Sequence, residues 1–310
     1  MSRKKQSRFC LLVAGGMHRD ELARLHNPVL MQASNPVSWQ YRVGGAATNA
    51  AIAASRVCDD DSRIVLTAAV GTDSVAGVLQ SAVQANGPDV VKQSFENTQT
   101  GRYSAIFDES GELLIGLSDV ALAERLTIEH LSELADQLIP NAILVDTNLS
   151  THCLRGIAHY CHQSGIQLGA IVVSPAKAGR LTDVAELIDT LYCNRQEAMS
   201  LTSSNMTQNL SLEDLSNRLL QAGFTQFVLT DAGHDLIVQR NNDRHRIRVP
   251  PRVVEQSVNG AGDALAGASF TAYARQLPLQ EAVEHYGLAQ ASCIIDGSIS
   301  AVPLPPADRP

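Results

Sequence analysis

Short, nearly continuous apolar runs alternate along the chain with longer stretches whose apolar positions recur every three to four residues. The first pattern is that of strands buried on both faces and the second that of helices covering them, so the alternation predicts parallel strands joined by crossover helices. Strands are expected at 9–14, 64–70, 142–147, 166–173, 188–193 and 226–230, and helices at 46–57, 73–86, 127–139, 150–164, 211–222, 260–275 and 279–295. Several helices open on Asp, Ser, Thr or Asn in capping positions. The expected core is a doubly wound α/β sandwich. Two stretches, 29–43 and 100–117, break the alternation. In the second, GRYSAIF and ELLIGLS flank the turn Asp108-Glu109-Ser110-Gly111, which is a hairpin signal. Both interruptions lie in the N-terminal part, where they are expected to pair into a small β lid over the sheet's ligand edge. The closing AVPLPPADRP, 301–310, is too rich in proline for regular structure and is expected to be a surface tail.

Composition narrows the partners. With 310 residues, 45% of them hydrophobic, the chain can bury a large core. Its 24 basic and 32 acidic residues leave a net charge of -8, which argues against a broad nucleic-acid or anionic-membrane surface. The six cysteines (Cys10, Cys58, Cys153, Cys161, Cys193, Cys293) form no CxxC pair and suit a reducing compartment as free thiols. The opening MSRKKQSRFCLLVAGG has the basic start of a signal peptide, but its apolar run stops at Gly15-Gly16 and predicts a buried first strand instead. No apolar stretch approaches membrane-spanning length, so a cytoplasmic protein with no membrane partner is expected.

Candidate chemistry begins at Asn259-Gly260-Ala261-Gly262-Asp263, followed by the small, apolar run ALAGA at the start of an expected helix. Glycines let the backbone approach an anion, and the unpaired N–H groups and dipole of a helix's first turn attract one. A carboxylate beside that anion has an economical role as general base, taking a proton from a hydroxyl that attacks a phosphoryl group held by the turn. No GxxxxGK[ST] segment occurs, and the chain has only four lysines (Lys4, Lys5, Lys92, Lys177), so any phosphate site must use backbone amides. A second glycine motif, GGAATNAAIAA at 44–54, puts Gly44-Gly45 ahead of a helix of very small side chains with Asn49 near its start. Taken alone it fits close helix packing as well as ligand approach.

Together, GGAATNAAIAA and NGAGDALAG resemble the two signatures of the ribokinase-like, or PfkB, family of sugar and nucleoside kinases. VAGGMHRD at 13–20 is similar to that family's first strand ending in a substrate-binding Asp, here Asp20, and NRQEA at 194–198 is similar to its Asn-x-x-Glu motif. The resemblance spans nearly the whole chain. It implies one kinase domain over 1–310, a three-layer α/β/α sandwich with lid segments at about 17–43 and 98–118. It also implies ATP-dependent phosphoryl transfer to a primary hydroxyl, Asp263 as base, and Gly260, Ala261 and Gly262 as anion-hole amides. Asp20, Gly44, Gly45 and Asn49 match positions that hold the acceptor's sugar. Asn194, Glu197 and Thr230 fall on the nucleotide side, with Glu197 organising Mg²⁺ indirectly, through water. Dimerisation through the lid is a further family trait. Within the family, Ser34-Asn35-Pro36, GELLIGLSDV at 111–120, VDTNLS at 145–150 and VVSPAKAGRL at 172–181 resemble segments of pseudouridine kinases, which carry a lysine near the bound nucleoside where this chain has Lys177. The acceptor implied is pseudouridine; another nucleoside, ribose or fructose is the alternative, and a binding protein without turnover is the rival from another class.

Two departures stand out. The family's Asp-Thr ahead of the glycine turn is here Ser257-Val258, which removes a carboxylate from its monovalent-cation site. The family's Thr-x-Gly on the nucleotide side becomes Thr230-Asp231-Ala232, with the glycine displaced to Gly233. Other chemistries lack support. His18-Arg19-Asp20 imitates a protein-kinase catalytic loop, but Asn27 follows Asp20 at the wrong distance and no DFG comes after it. His152, Cys153, His159, Cys161 and His162 would point in several directions on a helix, and neither GxSxG nor HExxH appears.

Overall fold

The computed structural model describes residues 8–203, 209–249, 260–295 and 302–304. In chain order its strands are β1 (Cys10–Ala14), β2 (His18–Leu25), β3 (Val37–Gly44), β4 (Arg63–Gly71), β5 (Asp89–Phe95), β6 (Arg102–Phe107), β7 (Leu113–Asp119), β8 (Ala142–Asp146), β9 (Gln167–Ile171), β10 (Thr190–Asn194), β11 (Gln226–Thr230), β12 (Leu236–Arg240) and β13 (Asp243–Ile247). The helices are α1 (Ala46–Arg56), α2 (Ser74–Gln84), α3 (Ile128–Leu138), α4 (Thr151–Ser164), α5 (Pro175–Ala178), α6 (Arg195–Leu201), α7 (Leu212–Gln221), α8 (Ala261–Ala274), α9 (Leu279–Ala282) and α10 (Leu288–Ile295).

The main sheet runs β13-β12-β11-β10-β9-β8-β1-β4-β5, parallel from β5 to β11 and antiparallel at β12 and β13. Alternate residues of β1 feed opposite cores. Leu12 and Ala14 join Leu131, Leu154, Ile157 and Leu215 from α3, α4 and α7, whereas Leu11 and Val13 join Ala47, Ala50, Leu265 and Phe270 from α1 and α8. Helices therefore cover both faces, and the expected three-layer α/β/α sandwich is the observed architecture. Two helices approach unusually closely. A Cβ on Gly267 of α8 would fall 2.1 Å from the carbonyl oxygen of Ala50 in α1, so the small side chains of both helices allow their backbones to touch.

A second sheet, ordered β3-β2-β6-β7, takes β3, β6 and β7 from the two interruptions and adds β2, which precedes them. β6 and β7 form the expected hairpin, with Asp108 Oδ1 accepting from Ser110 Oγ at 2.6 Å and from Glu112 N at 2.8 Å across its turn. β2 escaped the sequence pattern because charged residues sit on both of its faces. β1 stops at Ala14, where the apolar run predicted, and Asp20, which the resemblance put at the end of the first strand, lies within β2 on the second sheet. β5 and β13 were missed because strands at a sheet's edges carry polar residues on their open side. Beyond α9 the expected long helix widens through Val283–Gly287 before resuming as α10.

The expectation of a surface tail fails for the described part of that segment. Val302 and Leu304 are buried, and the segment bonds to the edge of β3 through Val43 N to Val302 O, 2.9 Å, and Leu304 N to Tyr41 O, 2.8 Å.

Candidate active site

The C-terminal ends of the parallel strands and the second sheet meet around the start of α8. Gly260 is the N-cap of α8 at φ 85, a left-handed conformation suited to glycine, and among the described residues no side chain caps the helix. The first-turn N–H groups of Ala261, Gly262 and Asp263 have no intrahelical acceptor. Among the described residues, a Cβ on Gly262 would meet no atom within 4 Å outside its own helix, so glycine there answers no packing demand from them.

Asp263 sits in that first turn, and its Oδ2 accepts from Asn49 Nδ2 at 3.0 Å. The two motifs, 214 residues apart, are thus joined by one side-chain bond. Burial pushes the Asp263 carboxyl up to about 6; the Asn49 bond opposes the rise, Asp146 and Asp20 add to it, and His18 works against it. A carboxyl so poised is ionised and basic near neutral pH.

Gly44 and Gly45 are there for close approach. A Cβ on Gly44 would overlap Asp20 Oδ1 at 2.1 Å, and one on Gly45, which has φ 111, would strike the Gly16 carbonyl oxygen at 2.1 Å. Asp20 is held beside the turn, with His18 Nε2 3.2 Å from its Oδ1, yet that buried oxygen has no hydrogen-bond partner. An orphaned buried acceptor at the cleft suits a ligand hydroxyl. His18 is thereby a site residue that sequence inspection passed over, since its HRD context pointed to an unrelated loop.

Asp146, at the end of β8, was also missed. Fully buried, it accepts from Gly16 N and Ala47 N at 2.9 Å each and from Asn148 N at 2.8 Å. It thereby stands in for the side-chain cap that α1 lacks and fixes the Gly44-Gly45 turn. Asn148 in turn accepts from Lys177 Nζ at 2.8 Å. Burial pushes the Lys177 ammonium below its usual range, helped by Arg180 and opposed by Asp146 and Glu124. Lys177 is therefore tied through Asn148 to Asp146 and the Gly44-Gly45 turn.

On the other side of Asp263, Asn194 and Glu197 form a capping box at the start of α6: Asn194 Oδ1 accepts from Glu197 N at 3.0 Å, and Glu197 Oε2 accepts from Asn194 N at 2.8 Å. Burial pushes Glu197 up to about 7, the Asn194 bond opposes this, and Asp263 adds to the rise. Thr230, ending β11, stands in register beside Asn194. Ser257, Val258 and Asn259 lie outside the described residues. Cys153 and Cys161 point into the core while His152, His159 and His162 are exposed, so these five do not converge.

The chain is similar to known kinases over most of its length. The chain is 23% identical over 277 residues to the pseudouridine kinase of Escherichia coli, covering 88% of this chain and 86% of that protein. It is 22% identical over 271 residues to the adenosine kinase of Dictyostelium discoideum, covering 80% and 78%. A carbohydrate kinase structure from Agrobacterium tumefaciens superposes with a TM-score of 0.81 at 29% identity, covering 95% of this chain and 93% of that one. Residues 23–305 match the pfkB family carbohydrate kinases, and the chain belongs to that family of phosphotransferases with alcohol acceptors.

Proposed function

We propose that this kinase moves the γ-phosphoryl group of ATP to the 5′ hydroxyl of a nucleoside, pseudouridine. The observation that carries the chemistry is the desolvated Asp263 carboxyl in the first turn of α8, bonded to Asn49 and facing Asp20. The acceptor hydroxyl oxygen attacks the γ-phosphorus, its proton passes to Asp263, and the bond to the β-phosphate oxygen breaks to release ADP. N–H groups of Gly260, Ala261 and Gly262 stabilise the charge on the moving phosphoryl group. Asp20, through its orphaned oxygen, and the Gly44-Gly45 turn orient the sugar.

The residues fit a hydrated Mg²⁺. Glu197 and Asp263 are two desolvated carboxyls whose ionised forms a nearby cation would favour. Among the described residues no group of three or more His, Cys, Asp or Glu could hold a metal ion, which suits a cation reached through water and phosphate. Bound with ATP, the metal supplies charge neutralisation on the phosphates.

Support for pseudouridine comes from the VDTNLS and VVSPAKAGRL segments, whose Asn148 and Lys177 bond to each other, and from the Escherichia coli relative. Adenosine is the second reading, favoured by the Dictyostelium relative. We infer further that the second sheet closes over the acceptor and pairs two copies, since Leu113, Leu114, Ile115 and Leu117 of β7 lie exposed. No helix among the described residues is long and apolar enough to cross a membrane, and the six cysteines are free, which supports work in a reducing compartment such as the cytoplasm. Phosphorus NMR of a reaction with pseudouridine and MgATP tests the assignment: a 5′ phosphomonoester is expected, and saturable binding without ATP consumption would favour a non-catalytic binder.

A further inference from the structure

The acceptor groups Asp20, Gly44 and Gly45 lie toward β1, and Asp263 lies between them and the ends of β10 and β11. On the reading above, those two strand ends are the donor side. Asn194 and Thr230 end them in register, and the next residue of each strand forms an ion pair with the other. Arg195 Nε donates to Asp231 Oδ1 at 2.8 Å and Nη2 to Oδ2 at 2.6 Å, while Nη1 donates to the carbonyl oxygen of Leu210 at 2.6 Å. Each nitrogen of this guanidinium makes one bond to the protein, three of its five N–H donors in all, so the planar fork holds Asp231 and Leu210 in place as a brace.

The brace grips a turn in an unusual conformation. His234 N donates to Asp231 O at 2.9 Å, closing a tight turn between β11 and β12. Its first central residue, Ala232, has φ 51, whereas Gly233 is not among the left-handed glycines. A left-handed first position in a hairpin turn is ordinarily taken by Gly, Asn or Asp, because a Cβ crowds the backbone there. The glycine displaced by one place in the sequence therefore leaves alanine where the backbone favours glycine. Such a conformation persists when its surroundings impose it.

We infer that the Arg195–Asp231 fork is a positioning element of the donor side: it imposes the left-handed turn at Ala232 and so fixes Thr230 and the strand end against which the nucleotide rests. The inference rests on assigning the β10–β11 edge to ATP. Asp231→Asn breaks one prong, and Arg195→Lys replaces the planar fork by a point charge. Both side chains are partly exposed, 20% and 31%, so the variants should fold.

The test is calorimetric titration of the full chain with the magnesium complex of adenylyl imidodiphosphate, an ATP analogue that cannot transfer its phosphoryl group. Each variant should bind it about tenfold more weakly, equivalent to about 1.4 kcal/mol, while KM for the acceptor stays within about twofold of wild type. Adding Ala232→Gly to Asp231→Asn should restore most of the lost affinity, because glycine takes the left-handed turn unaided. Analogue affinity unchanged in both single variants, a parallel rise in acceptor KM, or no recovery with Ala232→Gly would each overturn the inference while leaving the kinase assignment in place. Wild-type protein that binds no analogue would defeat the donor assignment and this inference together.

Discussion

Replacing Asp263 by Asn separates chemistry from folding. The change is nearly isosteric, and the amide oxygen can still accept from Asn49 Nδ2, so the site's shape should survive. Removing a general base lowers kcat by roughly 10²–10⁴, or about 2.7–5.5 kcal/mol of barrier. The same substitution should stabilise the fold at alkaline pH. Burial raises the Asp263 carboxyl from 3.8 to about 6, so the folded protein holds that proton more tightly than the unfolded chain. A raised carboxyl contributes no penalty below its unfolded value near 4, and the penalty grows as pH climbs to about 6, where it levels off. Its size is at most ~3 kcal/mol, and the residue's partial exposure reduces it. At roughly 2 °C per kcal/mol for a chain of this size, the Asn variant should melt several degrees above wild type at pH 8 and with it at pH 4. Steady-state kinetics and paired melting curves at the two pH values are the assay. Unchanged kcat would end the catalytic role of Asp263, and a variant that melts below wild type at pH 8 would refute the desolvation argument.

Glu197→Gln should raise the Mg²⁺ concentration for half-maximal activity severalfold without lowering the melting temperature, because the Gln carbonyl can keep the bond from Asn194 N while the charge is lost; equal Mg²⁺ dependence would count against a metal role. Initial rates in KCl and in tetramethylammonium chloride should agree within about twofold, since Ser257 supplies no carboxylate for a cation, whereas saturable K⁺ activation of about tenfold, ~1.4 kcal/mol, would refute this. Gly267→Ala should destabilise by about 1–3 kcal/mol and depress kcat/KM, because its Cβ would meet the Ala50 carbonyl at 2.1 Å and drive α1, with Asn49, away from Asp263; a variant with wild-type melting temperature and activity would contradict that packing.

Local chemistry is what the sequence made legible. Gly260 to Asp263 and Gly44 to Asn49 announce themselves because glycine, small side chains and a helix start act within a few residues. β1, β4, β8, β9, β10 and β11 were readable because strands buried on both faces are apolar throughout. Other features depend on what meets in space. β2 carries charge on both faces, since Arg19 pairs with Glu21 on one and His18 approaches Asp20 on the other, leaving no alternation to detect. Asp146 looks like any strand-ending acid until Gly16, Ala47 and Asn148 converge on it. Arg195 and Asp231, 36 residues apart, become a fork only through the pairing of β10 with β11. Burial of Val302 and Leu304 depends likewise on the open edge of β3.

The central claim, a nucleoside kinase whose acceptor is pseudouridine, is tested most directly by competition. Equal concentrations of pseudouridine, uridine, adenosine, ribose and fructose, incubated with limiting MgATP and resolved by chromatography, give the ratios of kcat/KM in one vessel. The account predicts that pseudouridine 5′-phosphate dominates the products and disappears in Asp263→Asn. Predominant phosphorylation of adenosine or ribose would contradict the acceptor assignment, and no phosphorylated product at all would contradict the kinase.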